Sequence, residues 1–241
     1  MVTRRQLLVS ASAFAAVSAL GGYALAQTTP PPAKIKIDDR SVLIVVDVQN
    51  CFLPGGSLAV GKGEEVIPII NKLGAAFANV VMTQDWHTPG HVSFASSHAG
   101  KKPFEMIKLP YGDQVLWPDH CVQGTAGADL SAELKLPTTQ LVIRKGYHHE
   151  VDSYSAFNEA DGTATGLASY LKERGINRVF AVGVATDFCV CYSAIDARKA
   201  GFEALVIDDA CRGIDAEGSL AKAWTAMTAA GVQKIVSANI G

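Results

Sequence analysis

Ser41-Val42-Leu43-Ile44-Val45-Val46-Asp47-Val48 is an aliphatic run with a single charge, Asp47, near its end. Apolar residues on both alternating faces mark a strand covered from above and below, which is the habit of parallel sheets rather than of sheets with one wet face. Five shorter runs of the same character follow at Asn79–Thr83, Gln140–Arg144, Arg178–Val184, Glu203–Asp208 and Gln233–Ser237. Between them, apolar residues recur at helical spacing over Glu64–Phe77, Ala164–Arg174, Phe188–Ala200 and Gly218–Ala230. Strand, helix and strand again, with no internal repeat, predicts an α/β domain on a mostly parallel sheet with helices on both faces. One stretch breaks the rhythm: Asp85–Pro137, about fifty residues with little periodicity, is too long for a passive connection and is expected to carry function.

The chain has 241 residues, 49% hydrophobic and 18% charged, with a formal net charge of -2. That length suits one domain with a large core and leaves a second one cramped. The near-neutral balance offers no electrostatic footprint for nucleic acid, and the apolar fraction excludes a disordered chain. Five cysteines are too few for a disulfide-dense scaffold, and their odd number leaves at least one thiol unpaired within a chain.

The first residues differ from the rest. Residues 1–26 carry Arg4 and Arg5 and no acid, whereas the remainder has 19 basic against 23 acidic residues. Thr3-Arg4-Arg5-Gln6-Leu7-Leu8 opens a segment rich in Ala, Ser and Leu that ends in Ala24-Leu25-Ala26, a small-x-small cleavage pattern. Ser10, Ser12, Ser18, Gly21 and Gly22 dilute it, and a stable membrane anchor needs about 20 strongly apolar residues. The segment resembles a twin-arginine export signal, which implies a protein carried already folded to the periplasm or otherwise exported. Residues 27–38, with Pro30-Pro31-Pro32, read as an extended linker, and 39–241 as the folded domain.

In an open α/β sheet, ligands bind beyond the carboxyl ends of the strands. The first strand delivers Asp47 there, the second Asp85-Trp86-His87, the third Lys145-Gly146 and the fourth Gly183-Val184-Ala185-Thr186-Asp187-Phe188-Cys189. Cys189 stands at the start of a predicted helix, where the helix dipole and a nearby lysine favour thiolate. Asp47 offers a proton acceptor and Lys145 a partner for anions. An inert buried thiol, a loop-capping aspartate and a solvated lysine are the bland readings, and convergence on one sheet edge weighs against them. Pairing of Cys189 with His87, His148 or His149 is the less supported arrangement.

Asp85 and His87 lie two apart, so extended backbone turns both to one side. With His120 of Trp117-Pro118-Asp119-His120, and His91 as a further candidate ligand, they form a carboxylate and imidazole set suited to a divalent transition metal, whether zinc, iron or manganese. His91, His98, His148 and His149 have no spacing that singles them out and read as surface or supporting groups.

Six motifs in register carry a resemblance. Asp47-Val48-Gln49-Asn50, Phe52-Leu53-Pro54-Gly55-Gly56-Ser57-Leu58, Asp85-Trp86-His87, Trp117-Pro118-Asp119-His120-Cys121-Val122, Lys145-Gly146 and Ala185-Thr186-Asp187-Phe188-Cys189-Val190 resemble the nicotinamidase branch of the isochorismatase-like cysteine hydrolases, over nearly all of the chain from Ser41 onward. The resemblance implies a three-layer α/β/α sandwich and a catalytic triad of Asp47, Lys145 and Cys189. It implies one divalent metal, zinc in first place, on Asp85, His87 and His120, and substrate-lining aromatics at Phe52, Trp117 and Tyr154. It further implies an oxyanion hole from the backbone N–H groups of Ala185 and Cys189, beside a cis peptide joining Val184 and Ala185. The reaction implied is hydrolysis of nicotinamide to nicotinic acid and ammonia through a cysteine thioester, with the metal orienting the pyridine ring. Pyrazinamide is a second candidate substrate, and homo-oligomers are common in the family.

A sister hydrolase acting on isochorismate, a carbamoyl compound or a ureido acid is the runner-up, although such sisters generally lack the metal set. A periplasmic binding protein that kept the fold is the reading outside enzymes, and it would have no use for a nucleophile. One position departs from the pattern: Cys51 stands where the family has an acidic residue, a change expected to perturb hydrogen bonding near the first strand end. In an oxidising compartment Cys51, Cys121 and Cys191 are candidates for disulfides, with the pairing left open, and Cys189 is the expected free thiol.

Overall fold

The structure, a computed structural model, describes residues 34–241. The segment read as an export signal, and most of the linker, lie outside the described residues. The chain runs through β1 (Ser41–Val46), α1 (Val66–Gly74), β2 (Asn79–Asp85), β3 (Met106–Leu109), β4 (Gly112–Val115), β5 (Thr139–Lys145), α2 (Leu167–Glu173), β6 (Arg178–Val184), α3 (Cys191–Lys199), β7 (Glu203–Arg212), α4 (Ser219–Ala229) and β8 (Gln233–Ile235). Six strands form the central sheet in the order β5-β2-β1-β6-β7-β8, and every pairing in it is parallel.

All six residues of β1 are buried, as its composition requires. Val42, Ile44 and Val46 pack with Leu167 and Leu171 of α2, Ala194 and Ala197 of α3 and Met227 of α4. Leu43 and Val45 face the other way, onto Val66, Ile67, Ile70 and Leu73 of α1. Alternation along one strand therefore feeds two separate cores, which is what makes three layers. Each fully buried Val, Leu or Ile side chain contributes about 1.5–3 kcal/mol over an exposed one, so β1 anchors both cores.

Strand order also locates the site. From β1 the chain builds outward to β2 and β5, then returns to β6 on the other flank of β1. The crevice at the carboxyl ends of β1 and β6 is the topological switch point, where ligands bind in open parallel sheets. Two backbone features shape it. Asp47 adopts φ 46°, in the left-handed region, so β1 ends at Val46 rather than at Val48. Gly183 has φ 114°, and a Cβ there would lie 2.1 Å from Val46 O, so only glycine lets β6 pair with the end of β1.

Other differences from expectation are local. The helical pattern from Phe188 begins as a single π turn, Thr186–Val190, before α3, and the pattern from Glu64 begins as a 3-10 turn, Gly63–Glu65, before α1. The aperiodic stretch after Asp85 holds the antiparallel β3-β4 hairpin. Within the stretch read as linker, Ile35 bridges Ile240, and Ile35 and Ile37 pack on the α1-side core. Among the described residues no helix is long and apolar enough to cross a membrane.

Candidate active site

Lys145, at the end of β5, is completely buried. Its Nζ lies 2.8 Å from Asp47 Oδ2, contacts Asp85 Oδ1, donates to Ser153 O at 3.1 Å and sits 3.4 Å from Cys189 Sγ. A fully desolvated ammonium is tolerable only with such partners. Asp47 is pinned from the neighbouring strand: its N–H donates to Thr83 Oγ1 at 3.1 Å, and that hydroxyl donates to Asp47 Oδ1 at 2.5 Å. Oδ2 is ion-paired to Lys145 and has no further hydrogen-bond partner among the described residues. Sγ of Cys189 and carboxylate oxygens of Asp47 and Asp85 all lie within 4.8 Å of one another.

Burial dominates the electrostatics. It pushes the Asp47 carboxyl up, with Asp85 adding and Lys145 opposing. For Asp85 burial acts the same way, but Lys145, His120 and His87 outweigh it and hold that carboxyl well below the usual range. The Lys145 ammonium resists the pull of burial because Asp47, Asp85 and Cys189 surround it, and it stays charged. Burial pushes the Cys189 thiol well up, with Lys145 opposing and Asp47 and Asp85 adding. Two carboxylates and desolvation thus work against the thiolate that the helix start and the lysine favour, in keeping with the proton-acceptor role read for Asp47. The sulfur is a thiol that needs a base, and Asp47, made more basic than an ordinary carboxylate, is beside it.

Asp85 joins this group to a second one: its Oδ1 contacts Lys145, and its Oδ2 lies 3.8 Å from His87 Nε2 and 3.7 Å from His120 Nε2. His87 Nδ1 donates to Gly146 O and His120 Nδ1 to Pro118 O, each at 2.9 Å. Those carbonyls fix both tautomers, leaving two Nε2 lone pairs and a carboxylate oxygen converging on one point. Burial pushes His87 down to about 4, so its ring is neutral. A buried carboxylate with two imidazoles fits a divalent cation and leaves positions open for water or substrate.

Of the roles open to His91, surface, supporting or ligand, the geometry favours the supporting one. It is fully buried, not a surface group, with its ring 4.4 Å from that of His87. Both of its nitrogens are occupied: Nδ1 pairs with Ser93 Oγ at 2.8 Å, and Nε2 donates to His148 O and Val151 O. Asp152, which approaches His87 and His91, likewise has its oxygens on Gln114 Nε2 and Ser153 N. In that second grouping it is His91 that has no free nitrogen to offer, and its ring packs against that of His87. His148 pairs with Glu159, His149 with Thr88 and His98 with Val92 O. No hydrogen bond among the described residues joins a histidine to Cys189.

Between the two walls lies a narrow pocket lined by Phe52, Trp117, Tyr154, Phe188, Ala185 and Cys189 together with Asp85, His87 and His120. Trp117 Nε1 donates to Tyr154 Oη at 3.0 Å, and the Trp117 ring meets Phe188 edge-on at 4.8 Å. Such walls suit a flat ring. The Val184–Ala185 peptide bond is cis. Of the residues named as catalytic, oxyanion-binding, substrate-lining or metal-ligating, Phe52, Asp85, His87, Trp117, His120, Tyr154, Ala185 and Cys189 line the pocket, while Asp47 and Lys145 contact Asp85 and Cys189 from behind it.

Four neighbours have roles that the sequence reading did not assign, three of them within its quoted motifs. Thr83 holds Asp47, and Phe188 adds an aromatic wall. Gln49 brackets Asp85, accepting from its N–H and donating to its carbonyl, each at 2.8 Å. Gly146, at φ 63°, leaves no room for a Cβ, which would meet His87 Cε1 at 2.6 Å. A polar Thr83 on an apolar strand, on the same face as Asp85, was the available signal. Cys51 and Cys121 are joined as a disulfide, while Cys189, Cys191 and Cys211 are free.

A profile of the isochorismatase domain matches residues 41–238. The chain belongs to the isochorismatase-domain family. Within that family, a nicotinamidase of Acinetobacter baylyi is 61% identical over 208 residues, covering 86% of this chain and 97% of that protein. A solved nicotinamidase/pyrazinamidase from Acinetobacter baumannii superposes with a TM-score of 0.83 at 58% identity, over 84% of this chain and 98% of that one. PnC1 from L. infantum, in complex with nicotinate, gives 0.77 at 39% identity over 86% and 98% of the two chains. A pyrazinamidase of Pyrococcus horikoshii in complex with zinc gives 0.68 at 35% identity over 82% and 99%.

Proposed function

We propose that this isochorismatase-domain protein hydrolyses nicotinamide to nicotinic acid and ammonia through a thioester on Cys189. The observation that carries the reading is the two-walled pocket: a buried thiol with Asp47 and Lys145 on one side and three converging cation donors on the other, with aromatic rings between. Nicotinamide has the matching shape, a flat ring with a nitrogen at one edge and a carboxamide at another. The nicotinamidase relatives, and a neighbour holding nicotinate, support the same substrate.

Asp47 takes the proton of Cys189, and the sulfur attacks the carboxamide carbon. Backbone N–H groups of Ala185 and Cys189 hold the developing oxyanion, each such donor being worth about 3 kcal/mol. Asp47 protonates the departing nitrogen, the C–N bond breaks and ammonia leaves. It then deprotonates a water that attacks the thioester carbon, and the sulfur departs with that proton. Lys145 keeps its charge throughout and balances the two carboxylates. Phe52, Trp117 and Tyr154 flank the ring. Asp85, His87 and His120 hold the divalent ion, zinc in first place, whose chemistry when bound is to anchor and polarise the ring nitrogen. Pyrazinamide keeps both recognised groups and is accepted as well. Residues 1–26 direct export of the folded chain, and cell fractionation that found the protein in the cytosol with those residues intact would exclude that part.

The test is ammonia release from nicotinamide by the zinc-loaded protein, with isochorismate and biuret as comparators. Release of ammonia and nicotinic acid in equal amounts is expected. Faster turnover of either comparator would overturn the assignment.

A further inference from the structure

Cys51 and Cys121 lie outside the chemistry above, yet their bond touches most of what holds the donor wall. Their Cα atoms are 5.7 Å apart across a sequence separation of 70, a spacing compatible with a disulfide. Both are buried. Cys51 is the middle residue of the Asn50–Phe52 turn, and its carbonyl accepts from Leu58 N–H at 3.0 Å. Phe52 and Leu58 are both walls of the pocket, and the Phe52 ring lies 5.5 Å from that of His120. Cys121 directly follows His120, and its carbonyl accepts the backbone N–H of His87 at 3.1 Å. Its φ is 45°, a left-handed conformation uncommon for any residue but glycine. One covalent bond thus links the ring-binding wall to the backbone of both imidazole donors. Asp85 needs no such tether, being the last residue of β2 and bracketed by Gln49.

We propose that Cys51 and Cys121 are a positioning pair: their bond sets His87 and His120 against Asp85, and Phe52 against the ring, and opening it loosens the grip on cation and substrate. The inference rests on Asp85, His87 and His120 being the cation donors. The bond forms by exchange with an external disulfide oxidant of dithiol or small-thiol type. The Cys51 thiolate attacks it and releases one thiol. The Cys121 thiolate then displaces the second, so two protein thiols lose two protons and two electrons as one external disulfide becomes two thiols. Cys51, although buried, borders an open cleft with Pro54, Gly56, Ala126 and Gly127.

The experiment compares the oxidised full chain, the same chain reduced by a dithiol that is then removed without air, and Cys51→Ala. Peptide mapping of the oxidised form is expected to return the 51–121 linked pair. Opening the bond is expected to weaken zinc retention against a competing chelator, at a temperature where all forms are folded, by about 10–100-fold, the range for lost support of a metal ligand. KM for nicotinamide is expected to rise more than kcat falls at saturating zinc. Added disulfide oxidant is expected to restore the reduced wild type and not Cys51→Ala. Equal zinc retention in the oxidised and reduced forms overturns the proposal, as does a change in Tm alone or a pair of free thiols after oxidant treatment. The zinc arm decides the matter even where nicotinamide is not turned over, so the two readings fail separately.

Discussion

The two walls of the pocket are built by different means. Asp47, Lys145 and Cys189 stand at or just beyond the ends of β1, β5 and β6, strands locked into one parallel sheet with a core on each face. Of the donors, only Asp85 has that footing. His87 and His120 sit in loops and are steadied by single carbonyls, Gly146 O and Pro118 O, by the buried ring of His91 and by the Cys121 backbone. A sheet edge resists displacement collectively, whereas a loop held at a few points gives way when one of them is lost. Chemistry is expected to fail through its own atoms, and cation binding through its tethers.

The sharpest separation of the walls is Cys189→Ala. Turnover is expected to drop by at least about 10⁴-fold, in the range seen for nucleophile removal in hydrolases, with zinc retention measured by chelator competition unchanged. Loss of zinc in that variant would mean that the walls are not independent. Next comes a contrast on the donor wall. His120→Ala removes a converging Nε2 and is expected to cost about 10²-fold or more in zinc affinity, whereas His91→Ala, which deletes only a supporting ring, is expected to cost about tenfold. Equal losses would return His91 to the ligand set. Gly146→Ala tests a backbone tether: a left-handed φ of 63° and a Cβ 2.6 Å from His87 Cε1 predict about 1–3 kcal/mol of lost stability and weaker zinc binding. Wild-type denaturant midpoints in that variant would contradict the close approach.

The last effect is on pH. In metal-free protein, His87 is pushed down to about 4 from an ordinary 6.5. Between those values the unfolded chain binds the extra proton, so this stabilising contribution is complete above about pH 6.5 and is lost as pH falls toward 4, by at most about 1.4 kcal/mol per unit. Asp47 is raised and acts in the opposite sense, so the wild type must be compared with His87→Gln. The variant is expected to show a flatter fall in Tm, and parallel curves would place His87 outside the buried cluster.

Much of this arrangement is legible in the sequence because its causes are local. β1 announces itself by apolar residues on both faces, and Asp47, Lys145 and Cys189 by their places at strand ends. The β3-β4 hairpin was not legible, since Met106–Leu109 is only four residues long and none of them is fully buried. The helix start that favours thiolate at Cys189 is a local cue, whereas the burial and the two carboxylates from other strands that favour the thiol are tertiary facts. His91 carries no spacing that signals burial, and only the fold brings His148 O and Val151 O to its ring. The Cys51–Cys121 pairing is likewise a matter of two distant loops meeting.

The central claim is that the thiol of Cys189 attacks the carboxamide with Asp47 as its base. Acid-quenching the zinc-loaded protein during nicotinamide turnover, followed by peptide mass mapping, tests it most directly. A nicotinoyl adduct on the peptide holding Cys189, carried by that sulfur and not by Cys191, and abolished together with turnover in Cys189→Ala, is the predicted result. Undiminished turnover in Cys189→Ala, or an adduct on another residue, would contradict it.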